Sequence, residues 1–233
     1  MRFAGEVAVV TGASRGIGRA TAERLADEGA MVVAAARDDT ALAALASAAG
    51  ERIRTVACDV ARTEDVGRLF ATAAELGGCS ILVAAAGVLT RASVEETTDG
   101  VWSETIAVNL TGAFRCAREA FAQMRARGGG RIVLISSLSG LYGTEKFPGL
   151  LAYNASKHGV VGVVEGLAVE GRDHGISALC LSPGAVDTEM LRAANPDLRP
   201  GLQPEDVAEL IADLLDGPIR AASGANVPLF SNR

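Results

Sequence analysis

Tyr153 and Lys157 are the pair of side chains in this sequence best suited to move a proton. They are four residues apart in a segment of helical composition, so a helix places them on one face. A tyrosine with its ordinary pKa of about 10 exchanges protons poorly at neutral pH unless its anion is stabilised. A neighbouring ammonium group provides that stabilisation. The spacing predicts a tyrosine acid assisted by a lysine, whereas a core tyrosine with a satisfied hydroxyl is the alternative.

Three serines, Ser136, Ser137 and Ser139, follow an apolar run that is typical of a strand. A serine hydroxyl beside a carbonyl oxygen can donate a hydrogen bond as negative charge develops on that oxygen. A serine at this position is also typical of a backbone cap. The two histidines, His158 and His174, are interpreted as structural residues.

The sequence TGASRGIG at 11–18 lies between an apolar run and a helical pattern. Its three glycines allow the backbone to approach a pyrophosphate closely, and the following helix N-terminus favours negative charge. The spacing GxxxGxG is a variant of the dinucleotide fingerprint. Such a triplet can mark a simple turn, but the strand before it and the helix after it favour nucleotide binding.

Arg37 stands 19 residues beyond Gly18, where an NAD site places an acidic residue against the ribose 2′-hydroxyl. Arg37 and Arg15 could instead bind a 2′-phosphate through charge-assisted hydrogen bonds. This favours NADP(H). The alternative is that both arginines are solvated surface residues, because Asp38 and Asp39 could pair with Arg37, and NAD therefore stays open.

Short apolar runs alternate with helical stretches along the whole chain. This alternation predicts a doubly wound α/β fold, with a seven-stranded parallel sheet flanked by helices and one dinucleotide-binding and catalytic domain over residues 1–233. The predicted strands are Val7–Val10, Met31–Ala35, Arg54–Ala57, Ile81–Ala84, Ile132–Ile135, Ser177–Leu181 and Asn226–Leu229. The predicted helices include Gly18–Glu28, Thr40–Ala49, Glu64–Leu76 and Thr105–Arg125.

Composition narrows the function classes. The formal net charge is −6 and no basic stretch stands out, which argues against nucleic acid and membrane surfaces as partners. The cysteines are isolated, lack metal-ligand spacing and lie mostly in apolar surroundings, so a reducing cytoplasm and no metal site are expected. They are Cys58, Cys79, Cys116 and Cys180. The N-terminus lacks the pattern of a signal peptide, and no segment is long enough to span a membrane.

Taken together and in order, these motifs resemble the short-chain dehydrogenase/reductase family, close in pattern to bacterial 3-oxoacyl-carrier-protein reductases. The resemblance covers nearly the whole chain. Its motifs are TGASRGIG at 11–18, Asp59-Val60, VNLTG containing Asn109, ISSLSG containing Ser137, YNASK at 153–157, and Ser182-Pro183-Gly184 leading to Thr188.

The resemblance implies a catalytic set of Asn109, Ser137, Tyr153 and Lys157. Asn109 would fix a helix kink and a water that connects Lys157 to solvent, and Ser137 is the serine in the S-x-x-G register that ends at Gly140. The implied cofactor-binding residues are Gly12, Ser14, Arg15, Gly16, Ile17, Gly18, Arg37, Asp59, Val60, Ala84, Ala86, Gly87, Tyr153, Lys157, Pro183, Gly184, Val186 and Thr188. Asp59 would accept from the adenine amino group, although it could instead cap the next helix.

The chain departs from the family pattern in several places. Family members usually carry asparagines at positions 84 and 85, where this chain has Ala84 and Ala85. The loop between Ser137 and Tyr153 is longer than usual, and Tyr142, Lys146 and Phe147 are its predicted substrate contacts. The lid at Glu189–Gln203 is short, which implies an open or small pocket closed by Met190 and Leu191. The tail after Asn226 lacks the usual glycine pair.

The sequence therefore predicts an NADPH-dependent reductase that converts a 3-oxoacyl thioester or another small ketone to an alcohol. An NAD-linked alcohol dehydrogenase and a non-catalytic nucleotide sensor are the alternatives. A cytoplasmic homotetramer or homodimer is expected, built on the Thr105–Arg125 and Tyr153–Glu170 helices.

Overall fold

The computed structural model describes residues 1–231 and consists of seven parallel strands with helices on both sides. The strands are β1 Val7–Thr11, β2 Met31–Ala36, β3 Ile53–Ala57, β4 Ile81–Ala84, β5 Gly130–Ile135, β6 Ile176–Pro183 and β7 Asn226–Leu229. Their order in the sheet is β3-β2-β1-β4-β5-β6-β7. The predicted doubly wound parallel sheet is confirmed, and each predicted strand corresponds to an observed one within two residues at either end.

Eight α-helices lie within the described residues: α1 Gly16–Asp27, α2 Asp39–Ala49, α3 Thr63–Glu75, α4 Asp99–Ile106, α5 Ala113–Arg127, α6 Leu151–Gly171, α7 Glu189–Ala194 and α8 Pro204–Asp216. Short 3₁₀ turns cover Gly50–Arg52, Leu138–Gly140, Arg172–His174 and Pro218–Arg220. Among the helices of residues 1–231, none has the length and hydrophobicity needed to cross a bilayer.

Two apolar layers hold the helices to the sheet, because successive side chains of each strand point to opposite faces. On β1, Ala8 and Val10 pack with α1, α2 and α8, whereas Val7 and Val9 pack with α3, α5 and α6. Both faces are covered, which explains why the strands read as continuous apolar runs. The four cysteines are free and buried in this interior, as their apolar sequence surroundings predicted.

The predicted helix Thr105–Arg125 is not one regular helix. It begins earlier, at Asp99, where the Thr98 hydroxyl accepts a hydrogen bond from Val101 N at 3.2 Å. Between Ala107 and Gly112 the chain adopts a π-helical turn before α5 continues.

The order of the strands places a crevice beside β1. The chain runs outward from β1 to β2 and β3 on one side, and from β4 onward on the other side. In register, Val9 lies between Val33 of β2 and Leu82 of β4. Ligands of open α/β sheets bind at such a reversal, beyond the carboxyl ends of the strands.

Candidate active site

A single continuous cleft of about 1120 Å³ runs along the carboxyl edge of the sheet. It is larger than the 300–1,000 Å³ that is usual for one small ligand, and it leaves room for a dinucleotide and a substrate side by side. The segments that follow all seven strands contribute to its walls. The short lid predicted an open or small pocket, and with this volume the observed cleft is not small.

The Gly-rich loop at 11–18 forms the floor of the nucleotide half. Gly12 has a φ of +70°, and a Cβ atom there would lie 2.8 Å from the backbone of Ala86. A Cβ atom at Gly18 would lie 2.3 Å from the carbonyl oxygen of Gly12. The turn therefore tolerates no side chain at either position. It leaves the start of α1 open to the cleft, as a phosphate-binding loop requires.

Most of the cofactor residues expected from the sequence line this half of the cleft. Those at the cleft are Gly12, Ser14, Arg15, Gly16, Ile17, Gly18, Arg37, Asp59, Val60, Ala86, Gly87, Pro183, Gly184, Val186 and Thr188. Ala84 does not line it, because this residue is buried within β4, and Ala85 faces the cleft instead. The residues that reach the cleft fit a dinucleotide, from the adenosine end at β2 and β3 to the far end at β5 and β6.

Arg37 is exposed at the adenosine end of the cleft. Within residues 1–231 its guanidinium makes no ion pair and no hydrogen bond, so the alternative of pairing with its acidic neighbours is not observed. Asp38 is engaged as the cap of α2, where its carboxylate accepts from Ala41 N at 3.0 Å. Asp59 does not cap α3; its Oδ1 accepts from Ala61 N at 2.9 Å in a local turn.

Ser137, Tyr153 and Lys157 converge at the other end of the cleft. Ser137 follows β5, and its Oγ accepts from Ser139 N at 3.1 Å, which fixes the oxygen and leaves the hydroxyl proton free to be donated. The cap alternative for Ser137 is thus compatible with a role in the cleft. Ser136 is buried and donates to Lys157 O at 2.8 Å, so its hydroxyl is committed to packing β5 against α6.

Lys157 is 5% exposed, and its Nζ donates to the carbonyl oxygen of Ile135 at 2.9 Å. Nζ lies 5.6 Å from the centre of the Tyr153 ring, one helical turn away. Burial lowers the pKa of the Lys157 ammonium to about 8. Burial raises the pKa of the Tyr153 phenol, and a hydrogen bond from Ser137 acts in the opposite direction.

Asn109 lies behind the cleft and is 1% exposed. Its amide forms two hydrogen bonds with the backbone of Val88, accepting from N at 2.8 Å and donating to O at 2.9 Å. Its Nδ2 also donates to Ser156 Oγ at 3.1 Å. Asn109 lies within the π-helical turn Ala107–Gly112, a kind of irregularity that is frequent at functional sites. Asn109 therefore links the helix, the strand end after β4 and α6.

The end of β4, where this chain has Ala84 and Ala85, is joined to β1 by a side-chain hydrogen bond. Ala86 N donates to Thr11 Oγ1 at 3.3 Å. Thr11 is buried at the end of β1, so this bond joins the two strands that border the crevice.

The substrate half of the cleft differs from the sequence expectation. Phe147, Met190 and Leu191 line it as predicted, but Tyr142 is fully exposed and lies outside the lining. Lys146 is outside the lining as well, because its Nζ donates to Leu138 O, Leu141 O and Thr144 Oγ1 of its own loop. The predicted substrate roles of Tyr142 and Lys146 are therefore wrong.

Arg91 is a site residue that the sequence analysis missed. Its Nη1 donates to Ala194 O at 3.0 Å and its Nη2 to Pro148 O at 3.2 Å. It thereby joins the end of α7 to the loop before α6 across the mouth of the cleft. No local motif marks this arginine, since both acceptors are backbone carbonyls distant in sequence.

The C-terminal residues also contribute to the cleft, with Phe230 and Ser231 in its wall. Ala185 N donates to Ser231 Oγ at 3.0 Å, and Gly184 N donates to Leu229 O at 2.9 Å. The altered tail is thus packed on the loop after β6.

Comparison with known proteins agrees with this geometry. The family model described as short chain dehydrogenase matches residues 6–199. The chain is 38% identical over 203 residues to a 3beta-hydroxysteroid dehydrogenase of Mediterraneibacter gnavus, covering 85% of this chain and 72% of that protein. It is 36% identical over 205 residues to the 3-oxoacyl-[acyl-carrier-protein] reductase FabG of Escherichia coli, covering 87% and 82% of the two chains.

The fold of a solved structure also matches this chain. The short-chain type dehydrogenase/reductase from Mycobacterium marinum superposes with a TM-score of 0.90 at 28% identity, covering 98% of this chain and 95% of that one. Because both the sequence match and the fold extend over most of the chain, this protein belongs to the short-chain dehydrogenase/reductase family of oxidoreductases.

Proposed function

We propose that this protein reduces a ketone to an alcohol with NADPH and that Tyr153 donates the proton. The observation that carries the proposal is the convergence of Ser137, Tyr153 and Lys157 at one end of a dinucleotide-sized cleft. The names of two relatives, a hydroxysteroid dehydrogenase and a 3-oxoacyl-[acyl-carrier-protein] reductase, support a carbonyl and alcohol pair as substrate and product. A 3-oxoacyl thioester or another small ketone is the proposed substrate.

The reduced nicotinamide, when bound, supplies the hydride. The Gly-rich loop at 11–18 would hold the pyrophosphate, and the segment from Pro183 to Thr188 would border the nicotinamide end. At the adenosine end, Arg37 is exposed and has no acidic residue paired with it in the described part of the chain. A guanidinium in that place suits the 2′-phosphate of NADPH better than the free ribose of NADH.

Each catalytic side chain has a distinct task in the proposed reaction. The Ser137 hydroxyl donates a hydrogen bond to the substrate oxygen as negative charge develops there. Tyr153 then transfers its phenolic proton to that oxygen, and the alcohol is formed. The Lys157 ammonium stabilises the phenolate that remains on Tyr153. Asn109 positions this pair by tying α6 to the strand end after β4.

The pKa of Lys157 fits this task. At about 8, it keeps the lysine mostly protonated at neutral pH while the proton is only weakly held. A cation of this kind can stabilise a phenolate and can also pass a proton on when Tyr153 must be reprotonated.

We place this reaction in a single domain that carries both the cofactor and the substrate site. The proposed setting is the cytoplasm, because the four cysteines are free and buried. The partners proposed are a small carbonyl substrate and further copies of the same chain, with no role for nucleic acid or membrane.

Tyr153→Phe removes the proposed proton donor and is expected to lower kcat about 10²- to 10⁴-fold, the usual contribution of a general acid. The dissociation constant of NADPH should stay within about twofold, because the ring and its packing are retained. Both are measured with purified protein, by NADPH oxidation against acetoacetyl thioesters, simple ketones and diketones and by cofactor fluorescence. Tyr142→Phe is the control, since Tyr142 is fully exposed outside the cleft. Unchanged turnover in Tyr153→Phe would contradict the assignment.

Arg37→Ala is expected to raise the dissociation constant of NADPH about tenfold or more, which is the effect of losing a charge-assisted hydrogen bond. The constant for NADH should change less than about twofold, since NADH lacks the 2′-phosphate. The matched control is Arg199→Ala, another exposed arginine at the cleft. If wild type binds NADH as tightly as NADPH, or if Arg37→Ala weakens both alike, the protein is not selective for NADPH through this residue.

Lys157 gives the protein a pH-dependent stability in the absence of cofactor. Its pKa is about 8 when folded and 10.5 when unfolded, so between these values the unfolded chain binds more protons and stability rises with pH. From pH 7.0 to 9.5, wild type should gain about 2 kcal/mol in unfolding free energy relative to Lys157→Met. Urea unfolding of both proteins at the two pH values measures this gain. A difference that does not change with pH would show that Lys157 is not a destabilised cation.

The helices α5 and α6 are the proposed subunit interface, because their outer faces expose Phe114, Leu151 and Val169. Light scattering should give a mass of four 23.8 kDa chains, or two if one interface forms. Phe114→Glu should lower that mass, because it puts a charge in the apolar contact. Tyr142→Glu, at a fully exposed position outside these helices, should leave the mass unchanged. A monomeric wild-type protein would exclude the assembly.

A further inference from the structure

An ion pair crosses the nucleotide half of the cleft between Arg15 and Glu189. Arg15 Nη1 and Glu189 Oε2 are 2.7 Å apart, although the two residues are 174 positions apart in sequence. Arg15 belongs to the Gly-rich loop, whereas Glu189 is the first residue of α7 on the opposite wall. Both side chains are more than half exposed, so the pair is free to open.

The two walls are close together at this point. A Cβ atom at Gly16 would lie 3.1 Å from Cγ2 of Thr188. The geometry that brings Thr188 to the loop therefore also brings Glu189 within reach of Arg15. A ligand that binds the Arg15 guanidinium must therefore displace the Glu189 carboxylate.

Glu189 pairs with Arg15 because the other charged residue of α7 is paired elsewhere. Arg192, one turn along the helix, pairs with Asp187 at 2.8 Å. Arg37, which follows β2, has no carboxylate partner within residues 1–231. The two arginines expected to bind a 2′-phosphate are thus in different states, since Arg37 is available and Arg15 is occupied.

A carboxylate and a phosphate are alternative ligands of the same guanidinium fork. A 2′-phosphate with a charge of about −2 is also repelled by a carboxylate that stays near it. NADH carries no charge at that position, so its ribose does not compete with Glu189 for Arg15. The carboxylate therefore opposes one of the two cofactors selectively.

We propose that Glu189 is a cofactor-specificity residue whose carboxylate occupies Arg15 in the free protein and must be displaced by the 2′-phosphate of NADP(H). It lowers the affinity for NADP(H) while leaving that for NAD(H) unchanged, and so sets how strongly this protein discriminates between them. The inference rests on the proposed use of NADP(H).

Binding of two nucleotide fragments without nicotinamide tests this directly. Calorimetric dissociation constants are measured for 2′,5′-ADP and 5′-AMP with wild type and Glu189→Gln. The variant should bind 2′,5′-ADP about two- to fivefold more tightly, the size of effect that one exposed ion pair produces. Its constant for 5′-AMP should be unchanged. Glu145→Gln, which removes a carboxylate from another part of the cleft, should alter neither constant.

The same gain should vanish in an Arg15→Ala background, because the pair is then already broken. This double-mutant comparison separates competition for Arg15 from a general change in the charge of the cleft. Thermal unfolding of each variant ensures that folded proteins are compared.

Each result decides the inference separately from the proposed function. If wild type prefers 2′,5′-ADP but Glu189→Gln gains nothing, the specificity role is overturned and the use of NADP(H) stands. If Glu189→Gln weakens both fragments alike, Glu189 holds the cleft closed over the nucleotide, and the competition is overturned. If neither protein prefers 2′,5′-ADP, both the inference and the proposed NADP(H) selectivity fail.

Discussion

The buried ammonium of Lys157 is the interaction on which the arrangement of the reacting end depends. Removing a cation from water is costly unless hydrogen bonds replace the lost hydration. Here the Ile135 carbonyl, at the last residue of β5, accepts from Nζ at 2.9 Å. The Ser136 hydroxyl binds the backbone of Lys157 itself. The strand end and the helix are therefore fixed to each other at the residue that must support Tyr153.

The irregular helix between α4 and α5 carries a second buried polar group that needs hydrogen-bond partners, the amide of Asn109. Asn109 reaches both backbone groups of Val88 and also Ser156 on α6, so three separate chain segments meet at one buried amide. This amide lies within the π-helical turn Ala107–Gly112 and connects the segment after β4 to the helix that carries Tyr153 and Lys157.

The fold was largely predictable because its signals are local. Apolar runs long enough for a strand, separated by amphipathic stretches, are sufficient to indicate a buried parallel sheet. The same signal failed at Thr105–Arg125, where the pattern is helical throughout and the π-helical turn depends on a contact with Val88, a residue in another segment. Helix α8 begins at Pro204 with a local signal of this kind, a capping box in which Gln203 N donates to Asp206 Oδ2 at 2.8 Å.

The same distinction, between local sequence signals and contacts with distant segments, separates the site residues that were predicted from those that were not. Residues in ordered motifs, such as the Gly-rich loop and Tyr153 with Lys157, were found because their spacing is itself the signal. Arg91 and the pairing of Glu189 with Arg15 were missed because both depend on contacts with segments distant in sequence. Lys146 was assigned wrongly because a charged residue in a long loop resembles a ligand contact in sequence, whereas here its three acceptors lie in its own loop.

The two halves of the cleft are consequently under different kinds of control. The reacting end is built from buried hydrogen bonds with fixed partners, so its geometry changes little without loss of stability. The rim of the nucleotide end carries the exposed charges Arg15, Arg37 and Glu189, and the one ion pair among them, Arg15 with Glu189, is of the weak, solvent-exposed kind. Weak exposed pairs can be exchanged without disturbing the sheet beneath them. On the proposed function, single substitutions at the rim would change the choice of cofactor, while the proton-transfer chemistry would remain tied to the core of the fold.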